Sequence, residues 1–268
     1  MIMDTATEIS SSKKKSLSEK IVGFFEEIYK IYKFITHFFR ETFSPPFEIR
    51  EIIRQCFYIG YKSLGIITLT GFITGIVFTK QSRPSLSEFG ATSWLPSLIS
   101  IAIIRALAPL ITALIAAGKV GSNIGAELGS MNVTEQIDAM EVSGSNPFRF
   151  LVVSRVIAAT CTLPVLMIYA AFIGLLGAYF NVHQNELTSF TTFIHDAFVR
   201  IGFLDIFASV VKSIIYGFTI GIAGCYLGYN AKHGTVGVGR AANSSVVVSM
   251  FLIFIEEMVI VQIVNLLR

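Results

Sequence analysis

Four charged residues interrupt long apolar segments of this 268-residue sequence, namely Arg105, Lys212, Glu256 and Glu257. Each charge would cost about 2.5–3.5 kcal/mol or more at the centre of a lipid bilayer, so we expect all four to face the protein interior. There they could line a cavity that accepts a polar or anionic headgroup. The alternative is a buried ion pair, formed by Arg105 with Glu256 or Glu257, that only fixes the register of the helices.

The two adjacent glutamates are not expected to serve the same partner. Successive residues of an α-helix point about 100° apart, so Glu256 and Glu257 face different directions. We therefore expect one of them to face a second subunit or a water-filled space. Lys212, inside another apolar segment, is a further candidate for the same cavity.

A short polar segment between two apolar ones predicts a helix over about residues 132–143. Asn132 is a favourable N-cap, and Glu135 stands three residues later, as in a capping box. Gly144 and Pro147 predict the end of the helix. At about ten residues it would be marginal alone in water. It is either a coupling helix docked in a groove of a cytosolic ATPase or an ordinary connection lying on its own subunit.

Composition indicates an integral membrane protein. The chain is 53% hydrophobic and 15% charged, whereas soluble domains carry about 25% charged residues. The net charge of +3 is small and does not suggest nucleic-acid binding. A membrane core of about 30 Å needs about 20 apolar residues in a helix. Five segments are long enough: residues 59–79, 95–117, 151–180, 204–229 and 246–267.

The N-terminal region differs from these spans. Residues 1–18 are polar and predict a disordered cytoplasmic tail. Residues 19–58 predict interfacial and elbow helices, because their first part has an aromatic face opposite a basic face. That first part could instead pack on the rest of the protein. Residues 59–268 form the predicted transmembrane domain.

The positions of basic residues predict the orientation of the chain in the membrane, and the spacing of glycines predicts how its helices pack. Lys and Arg are concentrated before the first span and in the loops after the second and fourth spans, which predicts a cytoplasmic N-terminus and a periplasmic C-terminus. Glycines spaced four residues apart predict close helix packing, at Gly121, Gly125, Gly129, Gly217 and Gly221.

The sequence gives no sign of catalysis by this chain. Gly118-Lys119 lacks the other residues of a phosphate-binding loop, and the glycines at 237 and 239 follow a membrane span rather than a strand. The three cysteines have no metal-binding spacing. We therefore expect no catalytic residues, no metal and no cofactor in this chain.

The sequence from Arg105 to Pro147 resembles, nearly residue for residue, the central motif of the MlaE family of ABC-transporter permeases. That motif has an Arg, a Pro four residues on, and then AG(R/K)xGSxIxAELGxMxVTEQIDAxEVxGxNP. Three later elements follow the family order: Lys212-Ser213 with Gly217, Cys225-Tyr226-x-Gly228-Tyr229, and Gly237-Val-Gly239-Arg240-Ala241. The resemblance covers about residues 50–265.

The resemblance implies a half-transporter of the inner membrane. Two copies would assemble with two cytosolic ATPase subunits, which bind ATP and Mg, usually with a STAS-domain protein and with a ring of MCE-domain proteins on the far side. Such complexes move phospholipids or related lipids between an inner and an outer membrane. By this likeness Glu257 occupies the position of an acid that members of the family commonly have in their last span. The segment that meets the ATPase contains Glu127, Glu135, Asp138 and Glu141.

One departure from the family pattern affects the charged residues. The family usually has Glu directly after the Arg of the second span, where this chain has Ala106. Our hypothesis is that Glu256 compensates for that loss. The alternative function is an ion-gradient-driven secondary transporter of an amphipathic substrate. An odd number of spans without a visible repeat argues against it.

Overall fold

The computed structural model describes residues 22–23, 25–45, 47–186, 188–232 and 234–266. The predicted tail, residues 1–18, lies outside them. The described residues are almost entirely helical, and five helices are long and apolar enough to cross a membrane, which confirms the predicted membrane architecture. These are α2 (Ile49–Glu88), α3 (Thr92–Val133), α5 (Phe148–Glu186), α7 (Phe203–Tyr229) and α8 (Gly234–Leu266).

Three shorter helices complete the described part of the chain: α1 (residues 25–42), α4 (Gln136–Val142) and α6 (Phe190–Phe198). Helix α1 belongs to a unit of its own that ends at Phe47, and the helices from α2 onwards form a second unit. Within the first unit α1 exposes large apolar side chains, including Phe25, Tyr29 and Tyr32. Its location at the membrane surface stays a prediction.

Small residues allow the spans of the second unit to approach closely. A β-carbon at Gly75 of α2 would meet the Gly174 carbonyl oxygen and lie 2.9 Å from the Ala178 nitrogen of α5. Gly217 and Gly221 of α7 lie against Ala159 and Val156 of α5. Along α3, Gly121, Gly125 and Gly129 lie beside α8 or the chain that leads into it. A larger residue at such positions would push two helix backbones apart.

The order of these contacts shows how the spans run. Helices α2 and α5 run parallel, as do α3 and α7, because residue numbers increase in the same direction along both helices of each pair. Helices α5 and α7 run antiparallel, and so do α3 and α8. Successive spans therefore alternate in direction. We call the end of the bundle with α4, the start of α2 and the α7–α8 connection the near end. The end with the α2–α3 connection and the last turn of α8 is the far end.

The predicted cap of the short polar helix is wrong. Helix α3 continues to Val133, so Asn132 lies inside α3 and its side-chain amide donates to the Ala231 carbonyl oxygen at 2.8 Å. Glu135 is not the third residue of a helix, because it adopts a left-handed conformation with φ of 58° between α3 and α4. The short helix is therefore only Gln136–Val142, and it ends just before Gly144, whose φ is 78°.

Candidate functional site

One face of α7 carries polar side chains at alternating spacings of four and three residues. These positions lie above one another on a helix. All five are buried, or nearly so, within apolar surroundings. We call them the polar ladder: Asp205, Ser209, Lys212, Tyr216 and Thr219.

The first residue of the polar ladder holds Arg105. The Arg105 Nε lies 3.2 Å from the Asp205 Oδ1, and the other Asp205 oxygen accepts the Gly202 backbone N–H at 3.1 Å. The predicted pairing of Arg105 with Glu256 or Glu257 is therefore wrong. Asp205 was not predicted from the sequence because it lies at the very start of an apolar segment. An acid is common and favourable at the N-terminus of a helix, so its presence there does not indicate a buried partner.

Glu257 is paired with the middle of the polar ladder. Its Oε1 accepts from the Lys212 Nζ at 2.7 Å, and its Oε2 accepts from the Tyr216 hydroxyl. Side-chain exposure is 5% for Lys212 and 16% for Glu257. Because both charges are paired and largely shielded, removing one partner would leave the other charge uncompensated inside the bundle.

Glu256 has a different partner from its neighbour. One of its oxygens accepts from the Thr219 hydroxyl, whereas Oε2 is buried and has no hydrogen-bond partner among the described residues. A buried carboxylate oxygen without a partner is unfavourable. Among Arg105, Lys212, Glu256 and Glu257, Glu256 is thus the one with a buried polar atom that lacks a hydrogen-bond partner within the described chain.

The backbone of α3 also takes part. Residues Ile103–Leu107 form a π-helical segment, in which carbonyl oxygens lose their usual partners four residues on. Two of these oxygens bond to the polar ladder: Ile104 accepts from the Ser209 hydroxyl at 2.8 Å, and Arg105 accepts from the Lys212 Nζ at 3.2 Å. The local irregularity therefore supplies acceptors to α7.

A cavity of about 250 Å³ lies between α3, α7 and α8 at this level. Both ion pairs line it, and so does Ala106. The rest of the wall is mostly apolar: Ile101, Ala102, Ala208, Val261 and Val264, with Asn265. A pocket of this kind suits an amphipathic molecule, with apolar walls for its tails and paired charges for its head.

The four acids that the resemblance places in the segment that meets the ATPase lie at the near end and separate into two groups. Glu127 forms an ion pair with Arg155 at 2.8 Å, and Arg155 is only 3% exposed. Glu135, Asp138 and Glu141 are exposed on α4 or directly before it, and we call the surface that they form with Val142 the α4 tip. Sequence analysis overlooked Arg155, although a basic residue early in the third apolar segment is a signal of a buried partner.

Comparison with known proteins agrees with these features. The Permease MlaE family model matches residues 52–263. A probable ABC transporter permease protein of Rickettsia prowazekii is 35% identical over 236 residues, which cover 88% of this chain and 90% of that protein. A second such protein, from Synechocystis, is 35% identical over 78% of this chain and 79% of its own length.

A plant protein is also similar. Protein TRIGALACTOSYLDIACYLGLYCEROL 1, chloroplastic, from Arabidopsis thaliana is 32% identical over 79% of this chain and 60% of its own length. The family match covers most of the chain, and the bacterial relatives match over most of their length. The chain therefore belongs to the MlaE family of ABC transporter permeases, multi-pass membrane proteins that work with an ATPase.

Proposed function

We propose that this permease moves phospholipids or related lipids between the inner and the outer membrane of a cell envelope. It would lie in the inner membrane with its N-terminus cytoplasmic and its C-terminus periplasmic. The far end of the bundle would then face the periplasm, and the cavity would be close to that side.

The cavity at the polar ladder is the observation that carries this proposal. Its apolar walls match acyl chains, while Arg105 and Lys212, each held by an acid, lie where a charged or polar headgroup would meet them. The Arabidopsis relative bears the name of a glycerolipid, trigalactosyldiacylglycerol. That name is consistent with a lipid substrate for this chain.

A second copy of the chain would complete the cavity. The outer face of α8 exposes large apolar side chains at Phe251, Phe254 and Met258, close in sequence to Glu257 and the cavity-lining Val261. A two-fold dimer buries the same surface on both partners. Two copies meeting at this face would shield it and enclose one shared lipid pathway.

The α4 tip would dock on the separate ATPase. Glu135, Asp138 and Glu141 are exposed there, and Val142 is 90% exposed. An apolar side chain rimmed by carboxylates fits the composition of an interface. We expect the ATPase to bind ATP and Mg and this chain to need no cofactor of its own. A STAS-domain protein and a far-side ring of MCE-domain proteins would complete the assembly.

Movement would pass from α4 to the cavity through α3. Helix α4 joins α3 directly at Glu135, and α3 carries Arg105 and the carbonyl oxygens that bind the polar ladder. A shift of α4 driven by ATP binding or hydrolysis would therefore reach the groups that line the cavity. The cavity would open or narrow, and the far-side ring would receive or deliver the lipid.

The first test is to purify the full chain in mild detergent from its native membrane and to identify the molecules that accompany it by mass spectrometry. We expect an ATPase, an MCE-domain protein and bound phospholipid. A reproducible preparation that contains no ATPase under gentle conditions would overturn the assembly, and one that contains the ATPase but no lipid would overturn the lipid substrate.

A pair of variants tests the docking surface. Asp138→Lys reverses one exposed charge at the α4 tip and should remove the ATPase from the preparation while bound lipid remains. Glu88→Lys makes the same change at the exposed far end of α2 and should leave the ATPase in place. Equal recovery of the ATPase with both variants would contradict docking through the α4 tip.

A further inference from the structure

A second cleft opens at the near end, away from the polar ladder. It lies between α2 and α3, has a volume of about 630 Å³ and is lined by polar residues, including Arg54, Tyr58, Asn123 and Glu127. A smaller cavity adjoins it and shares Tyr58, Asn123 and Glu127; Lys62 and Lys119 line that cavity. We call the two together the near-end cleft. Nothing in the proposed transport cycle uses it.

Two lysines of this cleft are available to an anion. The Lys62 Nζ lies 3.5 Å from the centre of the Tyr58 ring, and the Lys119 Nζ donates to the Lys62 carbonyl oxygen. Neither ammonium group has an ion-pair partner within the described ranges of the chain. A cation that contacts only a ring or a carbonyl keeps its full charge for a ligand.

The nearby acids do not cancel these charges. Glu51 accepts from Arg54 at 2.9 Å and Glu127 accepts from Arg155 at 2.8 Å, so each carboxylate already faces an arginine. The two lysines are therefore in excess around the cleft. Two neutral groups that line the same cavity, the Tyr58 phenol and the Asn123 amide, add hydrogen-bonding capacity.

The depth of the lysines matches lipid headgroups. Lys62 lies about one helical turn inside the start of the first apolar segment, at residue 59, and Lys119 lies just beyond the end of the second, at residue 117. At 1.5 Å per residue both are within about 5 Å of the expected boundary of the hydrocarbon core. Isolated lysines at this depth extend towards many lipids without selecting any. Here two lysines from different spans instead share one cleft with an aromatic hydroxyl and an amide.

We propose that the near-end cleft binds the phosphate group of an anionic membrane lipid. Lys62 and Lys119 supply the charge, and Tyr58 and Asn123 supply neutral hydrogen bonds to the phosphate oxygens. Basic pockets between spans are a recognised way to hold such headgroups. The lipid would come from the near-side leaflet. The site requires neither transport nor an ATPase.

The test measures lipid retention by the full chain. Wild-type protein and variants are reconstituted in nanodiscs of phosphatidylcholine containing phosphatidylglycerol, extracted with mild detergent and analysed by native mass spectrometry. The wild type should retain phosphatidylglycerol preferentially. Lys62→Gln and Lys119→Gln should each weaken retention about fivefold, which corresponds to about 1 kcal/mol for each lysine near an anionic surface.

A matched control variant and a separate binding measurement with inorganic phosphate make the result decisive. Lys80→Gln removes an exposed lysine from the far end of the same helix as Lys62 and should retain phosphatidylglycerol like the wild type. The double variant Lys62→Arg with Lys119→Arg should also retain it, because the charges remain. Unchanged retention by the double variant Lys62→Gln with Lys119→Gln would overturn the site. Binding of inorganic phosphate without any preference for phosphatidylglycerol would overturn the lipid as its source.

Discussion

The two ends of α3 carry basic residues in opposite circumstances. At the far end Arg105 lies beside Asp205, and the adjacent Lys212 is held by Glu257, so both of these cations have an acid. At the near end Lys119 and its neighbour Lys62 have only a carbonyl oxygen and a ring. Paired charges that are largely shielded hold helices in register, whereas unpaired and exposed ones remain available to a ligand. The same residue type therefore has an acidic partner at one end and none at the other among the described residues.

The largest effect should follow from breaking the far-end pair. Lys212→Met leaves Glu257 without its cation, and we expect the free energy of unfolding to fall by about 3–5 kcal/mol, as for other buried pairs that lose one partner. Thermal or denaturant unfolding in detergent measures this change. The double variant Lys212→Met with Glu257→Met removes both charges and should recover most of the lost stability. If the single variant is as stable as the wild type, the pair does not hold the bundle.

Glu256 allows a smaller and more specific test. Glu256→Gln keeps an oxygen for the Thr219 hydroxyl, so the free energy of unfolding should change by less than about 0.5 kcal/mol. If Glu256 replaces the acid missing at Ala106, transport of fluorescent phospholipid in proteoliposomes with the ATPase should fall about tenfold, the size of one lost charge-assisted interaction. Ile168→Leu, a conservative change of an outward-facing side chain on α5, away from the α8 face proposed for the dimer, should transport normally. Unimpaired transport by Glu256→Gln would remove the compensation hypothesis.

The near-end lysines should contribute far less to stability than the far-end pair. Lys62→Gln combined with Lys119→Gln breaks no ion pair, so we expect the free energy of unfolding to change by no more than about 1 kcal/mol, about 0.5 kcal/mol for each surface-type substitution. Unfolding under the same conditions as for Lys212→Met gives the comparison directly. A loss as large as that of Lys212→Met would show that the near-end lysines are structural.

The length of the apolar segments located the five spans, because apolar length is a local property that needs no knowledge of neighbours. Pairing is not local, and this is why Arg105 was assigned to the wrong acids: Asp205 is distant in sequence and is brought close only by the packing of α7 against α3. The alternating spacing from Asp205 to Thr219 was nevertheless readable, since it repeats with the period of a helix face. Examining polar residues inside apolar segments by that period would have found the polar ladder.

The misplaced cap at Asn132 has a different cause. Asn is a strong N-cap by local preference, but here its amide is engaged by the Ala231 carbonyl oxygen of a remote connection, and α3 runs on through it. A tertiary contact thus outweighed a local signal. The residue at which the helix does break, Glu135, has a left-handed conformation that is uncommon for a side chain of this kind and that no sequence pattern indicated.

The π-helical segment at Ile103–Leu107 has a consequence for mutational scanning. Ser209 and Lys212 bond to backbone oxygens of Ile104 and Arg105 there, and no side-chain replacement in α3 removes a backbone oxygen. An alanine scan of α3 will therefore leave those two contacts intact, and a loss measured for Arg105→Ala will report the ion pair with Asp205 alone. Side-chain substitution can remove these two contacts only at Ser209 and Lys212 of α7, so scanning α7 is what measures their contribution to the junction between the two helices.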